Sequence, residues 1–261
     1  DVCENCRIFI GPIESSIFIR NCRSCNFITA CQQFRCRDCT DCRFGLLSTT
    51  EPIIETSTNM QFACFDFFYF SLREQFKKAG LPVVNNKWWQ IHDFNKNDGN
   101  PNWSLLPQEE VPNLLRTSAC TSITAEELAM DRVVPVTLGS RSWPHAETCF
   151  VIFLPQSEVL VETFLGKACK TEGWSLCRAR ATVLCEERLK TLLAWTKERG
   201  LEKKCKGQEI TGIEVCGAGV SQQVPVVLGE MAGNSKCIRI VPEPVKDAYA
   251  KAFFEVWKDE I

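Results

Sequence analysis

Two folded parts are predicted: a parallel β-helix over residues 1–106, closed by a capping segment, and an α/β layer over residues 148–261, with residues 107–147 as a linker. Three observations predict them. A Cys-x-x-Cys unit recurs along the start of the chain, short β-rich segments fill the gaps between its copies, and strand patterns alternate with helix patterns after residue 148.

Cys3 and Cys6 recur nineteen residues on as Cys22 and Cys25, seventeen on again as Cys39 and Cys42, and after seventeen more the same slots hold Thr56 and Asn59. Between them Ser16 to Arg20, Gln33 to Arg37 and Glu51 to Glu55 read as strands. A period near 18 equals three strands of about six residues, one coil of a parallel β-helix in which each coil buries its inner side chains on the next. The spacing of the first two pairs also fits a four-cysteine zinc site. Such a site would leave Cys39 and Cys42 over, and a ligand set would not continue as Thr56 and Asn59, so the cysteines are read as a packing ladder and no metal is assigned.

Side chains alternate along a strand, so coil register also assigns faces. Aligned coils place Ile17 over Phe34, and Ile19 over Cys36 over Ile53, all pointing inward. Gln33, Arg35 and Arg37 then share the outward face, with Gln32 just before them. A row of long polar side chains is ordinarily a solvated surface; this one is also the candidate binding face.

From Asn59 to about Leu81 the chain turns aromatic, Phe65-Asp-Phe-Phe-Tyr-Phe70, then helical from Leu72 to Ala79 with Gly80 as a stop. This segment is expected to cap the open end of the β-helix, with Trp88, Trp89 and Trp103 packed along its side. Residues 107–147 hold prolines, threonines and one helix signal, Ser122-x-Thr-Ala-Glu-Glu-Leu128. Beyond them Thr148 to Leu154, Ser175 to Ala181, Glu209 to Cys216 and Lys236 to Val241 read as strands, and Glu158 to Thr171, Val183 to Glu198 and Val245 to Trp257 as helices. Gly217-Ala-Gly219 lacks a following Gly and Lys-Ser/Thr, so it is read as a turn rather than a phosphate loop.

Composition narrows the classes. Apolar residues make up 45% of the chain, enough for packed cores. A net charge of −2 with pI near 5.9 recommends neither a nucleic acid nor an anionic membrane as partner of the whole molecule. No apolar run approaches the ~18 residues that span a bilayer, and the first residues lack the form of a signal peptide. Seventeen cysteines, odd in number and scattered through apolar stretches, suit buried free thiols in a reducing compartment, so an intracellular protein is expected. The chain opens inside a Cys-x-x-Cys unit without Met and reads as a piece of something longer.

The stretch Ala30-Cys-Gln-Gln-Phe-Arg-Cys-Arg-Asp-Cys39, with Gly11-Pro12, Phe18-Ile-Arg-Asn-Cys22 and Pro52-Ile-Ile-Glu55, resembles the tubulin-binding cofactor C family. The likeness continues through Phe76-Lys-Lys-Ala-Gly-Leu81, Asn85-Asn86, Ile91-His-Asp-Phe94 and Asn102-Trp-Ser-Leu-Leu-Pro107. The resemblance implies a right-handed β-helix and GTPase activation, directed at an ADP-ribosylation-factor-like small GTPase or at tubulin. It puts the family's catalytic arginine on Arg35 and its functional glutamine on Gln32, and assigns partner contacts to Gln33, Arg37, Glu55 and Phe94. Arg37 has a second reading as an ion pair with Glu55, and Phe94 as a core aromatic; His92 is read as hydrogen-bonded structure. A guanidinium presented in trans suits the chemistry because it is planar, permanently charged and able to donate to two phosphate oxygens.

No cofactor of the chain's own is implied, since the partner GTPase carries GTP and Mg. No nucleic acid is expected, and membrane contact only through an N-terminal lipid anchor outside this chain, in the cytoplasm, at the plasma membrane and at the cilium base. The rival class is a non-catalytic effector that binds the GTP-bound form. A member of the family has a nucleoside-diphosphate-kinase-like, ferredoxin-like α/β domain, which the resemblance suggests for residues 148–261. That chemistry needs a nucleophilic histidine in an Asn-x-x-His-Gly-Ser-Asp-like stretch; the one histidine near this domain is His145, before its first strand, so the domain is read as catalytically silent.

Overall fold

The computed structural model describes residues 1–96, 100–115, 132–232 and 237–254. It divides into two units, Asp1–Arg141 and Ser142–Ile261.

The first unit is a parallel β-solenoid. Its strands are β1 (Arg7–Arg20), β2 (Asn26–Arg37), β3 (Arg43–Ser48), β4 (Ile53–Glu55), β5 (Met60–Cys64), β6 (His92–Asp93) and β7 (Trp103–Leu105). One ladder runs through the first halves of β1 and β2 to β3, β5 and β7, and a second through their second halves to β4 and β6, every pairing parallel. On the third side single bridges link Glu4, Arg23, Thr40 and Thr58.

Successive coils lie about 4.8 Å apart, so like side chains at one position stack into columns. Inside, Phe27, Phe44 and Phe62 lie nearly parallel at 5.1 Å between ring centres, and Phe34 meets Phe44 edge-on at 5.0 Å. All four are buried. At the corners the chain turns through left-handed residues, Asn21, Asp38 and Thr56 in one column and Asn5, Ser24, Asp41 and Asn59 in another, with φ between 44° and 56°. Asn and Asp tolerate that region better than other side chains, because they hydrogen-bond locally.

Just past each of these corners in the first three coils sits a cysteine. The thiols of Cys6, Cys22, Cys25, Cys39 and Cys42 each donate to the carbonyl two residues back, over 3.2–3.4 Å. Burial pushes the Cys22 and Cys25 thiols up, and that of Cys42 to about 12. These are structural thiols. Among the described residues no cluster of three or more His, Cys, Asp or Glu could hold a metal ion.

The fourth coil departs from the spacing that the cysteines predict. Thr40 bridges Thr58, and Arg43 pairs with Gln61, an offset of eighteen residues rather than seventeen. Ser57 and Met60, both buried, therefore occupy the cysteine slots, while Thr56 and Asn59 are corner residues. The extra residue lies in the connection Thr49–Pro52, because Cys31 still pairs with Ser48 while Arg35 pairs with Ile53. Cys36 consequently stacks on Ile54, and Ile53 turns outward beside Arg35.

The aromatic segment does not close an end of the solenoid. Phe67 and Tyr69 reach the Phe9 ring of β1 at 4.8 and 5.4 Å, and α1 (Leu72–Lys78) packs on β1, so the segment crosses from the fourth coil back to the first. Ladder strands β6 and β7 continue beyond it. Trp88 is fully buried, and its Nε1 donates to Thr137 Oγ1 at 3.1 Å.

Much of the predicted linker belongs to this unit. Val111 and Leu114, in and after a 3-10 turn at Gln108–Asn113, press on Gly45, and the Asn26 amide donates to the Leu114 carbonyl at 3.2 Å. Val133 and Val134 enter the same core, and Arg132 forks onto buried Asp66 at 2.9 and 3.1 Å. The helix signal at Ser122 lies outside the described residues.

The second unit holds β8 (Thr148–Phe153), α2 (Glu158–Lys170), β9 (Ser175–Val183), α3 (Glu186–Leu193), α4 (Leu201–Cys205), β10 (Glu209–Cys216), α5 (Val220–Ala232), β11 (Ile238–Ile240) and α6 (Glu243–Phe254). Its sheet is antiparallel in the order β11-β8-β10-β9. Strand β9 runs to Val183, so α3 begins later than the sequence predicts, and α4 and α5 are additions to the predicted elements. The Gly217–Gly219 turn opens α5. There the Glu147 carboxylate accepts from the amides of Gly219 and Ser221 at 2.8 and 3.0 Å. Those two bonds hold its pKa below the ordinary carboxylate value, and they fill the amides that a phosphate would need. The predicted reach of α6 to Trp257 and of β11 to Lys236 lies outside the described residues.

Candidate functional site

One side of the solenoid is formed by the second halves of β1 and β2 together with β4 and β6. Its outward positions make three columns. Ser16 stands over Gln33; Phe18 over Arg35, Ile53 and His92; Arg20 over Arg37 and Glu55. Phe94 extends the third column, since its amide donates to the Ile54 carbonyl at 3.1 Å just past the Asp93–Ile54 pair. Gln33, Arg35, Arg37, Glu55 and Phe94 are thus brought to one face, with Gln32 at its edge.

Arg35 is half-buried at the centre. Its guanidinium carbon lies 5.7 Å from the centre of the Phe18 ring, and Ile53 flanks it from the other side. Its Nε is buried without a hydrogen-bond partner, and among the described residues no carboxylate pairs with it. Arg37 turns to its sequence neighbour, with Nε 3.2 Å from Asp38 Oδ2, rather than to Glu55 beside it in the ladder. Arg20 forks onto Asp1 at 3.2 and 2.9 Å and also lies over the Phe18 ring, at 5.1 Å.

The glutamines are held differently. Gln33 Oε1 accepts from the Ser16 hydroxyl at 3.2 Å. The Gln32 side chain is exposed, while its carbonyl accepts from the amide of Thr50 and the hydroxyls of Thr49 and Thr50, each at 3.1 Å. That clamp fixes the backbone and leaves the amide head outside. Phe94 is 58% exposed, with the His92 ring edge-on at 4.7 Å, so it is a surface aromatic rather than a core one.

The face offers fixed guanidinium and amide donors to anionic oxygens, one carboxylate in Glu55, and aromatic surface for apolar contact. Sequence reasoning missed Phe18, Arg20 and outward Ile53. The period-two rule that placed Ile17 and Ile19 inward would have found the first two; Ile53 was displaced by the one-residue register error.

Residues 1–94, which hold the whole of this face, match the family model described as Tubulin binding cofactor C. Over these residues the first unit is similar to that family. Relatives include Protein XRP2 of Danio rerio, 43% identical over 175 residues, covering 58% of this chain and 46% of that protein. Protein XRP2 of Homo sapiens is 37% identical over 148 residues, 53% of this chain and 42% of its own length. Tubulin-specific chaperone C of Mus musculus is 38% identical over 110 residues, 41% and 32%. The chain spans less than half the length of these relatives. A solved structure, Tubulin Binding Cofactor C from Leishmania major, matches at 26% identity over 41% of this chain and 76% of that one, with TM-score 0.35.

Proposed function

We propose that this chain is a GTPase-activating protein for an ADP-ribosylation-factor-like small GTPase, supplying Arg35 in trans to the β and γ phosphates of the partner's GTP. The observation that carries the reading is Arg35 itself: a guanidinium on the middle coil of a stiff solenoid, unpaired by any carboxylate among the described residues, with two glutamine amides beside it. An inserted cation needs a rigid mount and no competing anion, and both conditions are met. Gln32 is assigned to orienting the attacking water or the partner's own groups, and Gln33, Arg37, Glu55 and Phe94 to holding the partner. GTP and Mg come with the GTPase; the chain needs no cofactor for this role.

Single-turnover GTP hydrolysis by purified ADP-ribosylation-factor-like GTPases, with and without the chain, tests this. Arg35→Ala is expected to lower the stimulated rate by roughly 10³-fold, as for other arginine fingers. Stimulation by the variant equal to wild type removes Arg35 from the mechanism, and tight binding of the GTP form without stimulation by wild type supports the effector reading. The match to a tubulin-specific chaperone makes tubulin the second partner to assay.

For the second unit, the strand order β11-β8-β10-β9, with a helix after β8 and another after β10, supports a ferredoxin-like layer. Its proposed role is interaction without catalysis. Placement in the cytoplasm near the plasma membrane and cilium base, through an anchor outside this chain, belongs to the same proposal.

A further inference from the structure

We infer that Phe18 is the positioning residue for Arg35, a rigid ring that fixes the guanidinium where a carboxylate would otherwise be needed. The inference rests on the proposed role of Arg35 as the group presented to the partner.

Three observations meet here. Phe18 is 45% exposed although its strand neighbours Ile17 and Ile19 are buried, so the ring stands on the outward face directly beside Arg35 in the ladder. The guanidinium carbons of Arg35 and Arg20 lie 5.7 and 5.1 Å from its centre, so one ring contacts two cations. Arg35 Nε has no hydrogen-bond partner while being out of contact with solvent, so no polar bond at that atom fixes the direction of the side chain.

A carboxylate could direct an arginine equally well, but it would neutralise the charge that the phosphates need. An aromatic face attracts the cation through its quadrupole and leaves the N–H donors free at the rim. Ile53 on the next coil closes the slot from the other side. The side chain can then slide little along its column, and less rotamer freedom remains to be lost when a partner docks. Arg20, tied to Asp1, holds the ring from its other neighbour position.

The experiment compares Phe18→Leu and Phe18→Tyr with wild type in single-turnover hydrolysis over a range of chain concentrations. Phe18→Leu is expected to lower the rate at saturation about tenfold, with the half-saturating concentration changed by less than about twofold, and Phe18→Tyr to keep the wild-type rate. In an Arg35→Ala background Phe18→Leu should do nothing further, since the ring acts through the arginine. A Phe18→Leu variant that stimulates like wild type, or that changes only the half-saturating concentration, overturns the assignment. A partner-free readout separates this from the GTPase reading. In 1H–15N spectra the Arg35 Nε–H resonance should be displaced by the ring in wild type and return to the ordinary arginine position in Phe18→Leu, while that of Arg43 stays. An unmoved Arg35 signal refutes the positioning role whatever the hydrolysis assay gives; a moved signal with no stimulation by wild type keeps the positioning and refutes the activator.

Discussion

At Ser57 a hydroxyl stands where the preceding coils have a thiol, and it makes the same bond, donating to the Glu55 carbonyl two residues back at 2.8 Å. It also accepts from the buried Cys39 amide at 3.1 Å. Ser57→Ala would leave that amide without an acceptor, at a cost of about 1–3 kcal/mol, whereas Ser57→Cys restores the pattern of the neighbouring coils and should cost less. Urea titrations of the two variants check the order; equal midpoints would show that the hydroxyl contributes nothing. Phe94 presents the opposite case, an exposed ring whose removal leaves no hole in the core. Phe94→Ala should leave the melting temperature unchanged and, on the proposed function, weaken binding of a GTP-loaded small GTPase by roughly tenfold, as expected of an aromatic anchor. Isothermal titration reads the affinity and calorimetry the melting.

Corners and strands obey different rules, which decides how far each could be read from the sequence. In the first three coils each of these corners is a left-handed residue followed by a cysteine, and Asn, Asp, Ser and Cys announce it. At the fourth the cysteine is replaced by Ser57 and the connection Thr49–Pro52 gains one residue, so the visible spacing failed where its marker changed. That single slip moved Ile53 from the outer to the inner face, as strand alternation requires. Helix α5 was hidden for another reason. Pro225 and Gly229 interrupt its pattern, and a proline inside an apolar run reads as a stop, yet the Glu147 carboxylate caps its first turn. The linker was legible only as composition, because a few buried apolar anchors such as Val111 and Val133 carry no period. For the corners the expectation is specific. Asp41, at φ 56°, also accepts from the Asn59 amide at 2.5 Å. Asp41→Val puts a branched side chain into that region and should cost about 2 kcal/mol, more than Asp41→Gly, which loses only the hydrogen bond. Thermal melts of the pair give the order, and a valine variant at least as stable as the glycine one would refute it.

Across the whole molecule four buried thiols set a stability limit at high pH. Burial raises Cys31, Cys42 and Cys64 in the first unit and Cys149 in the second from 9.0 to about 12. Above about pH 9 the unfolded chain releases these protons and the folded chain keeps them, so the unfolded state binds fewer and stability falls as pH rises. Their contribution is complete below pH 9 and is lost progressively toward pH 12. Melting temperatures measured under reducing conditions should therefore drop steadily from pH 9 to pH 11, and a flat profile would mean that these groups titrate alike in both states. The repeat has one more consequence. Because Phe18, Arg35, Ile53 and His92 come from four successive coils, the candidate face is graduated like a ruler, one mark per coil at about 4.8 Å. A whole coil inserted between β2 and β4 would shift Glu55 and Phe94 by one graduation from Arg35 without reorienting any of them, so distance along this surface can be edited separately from direction.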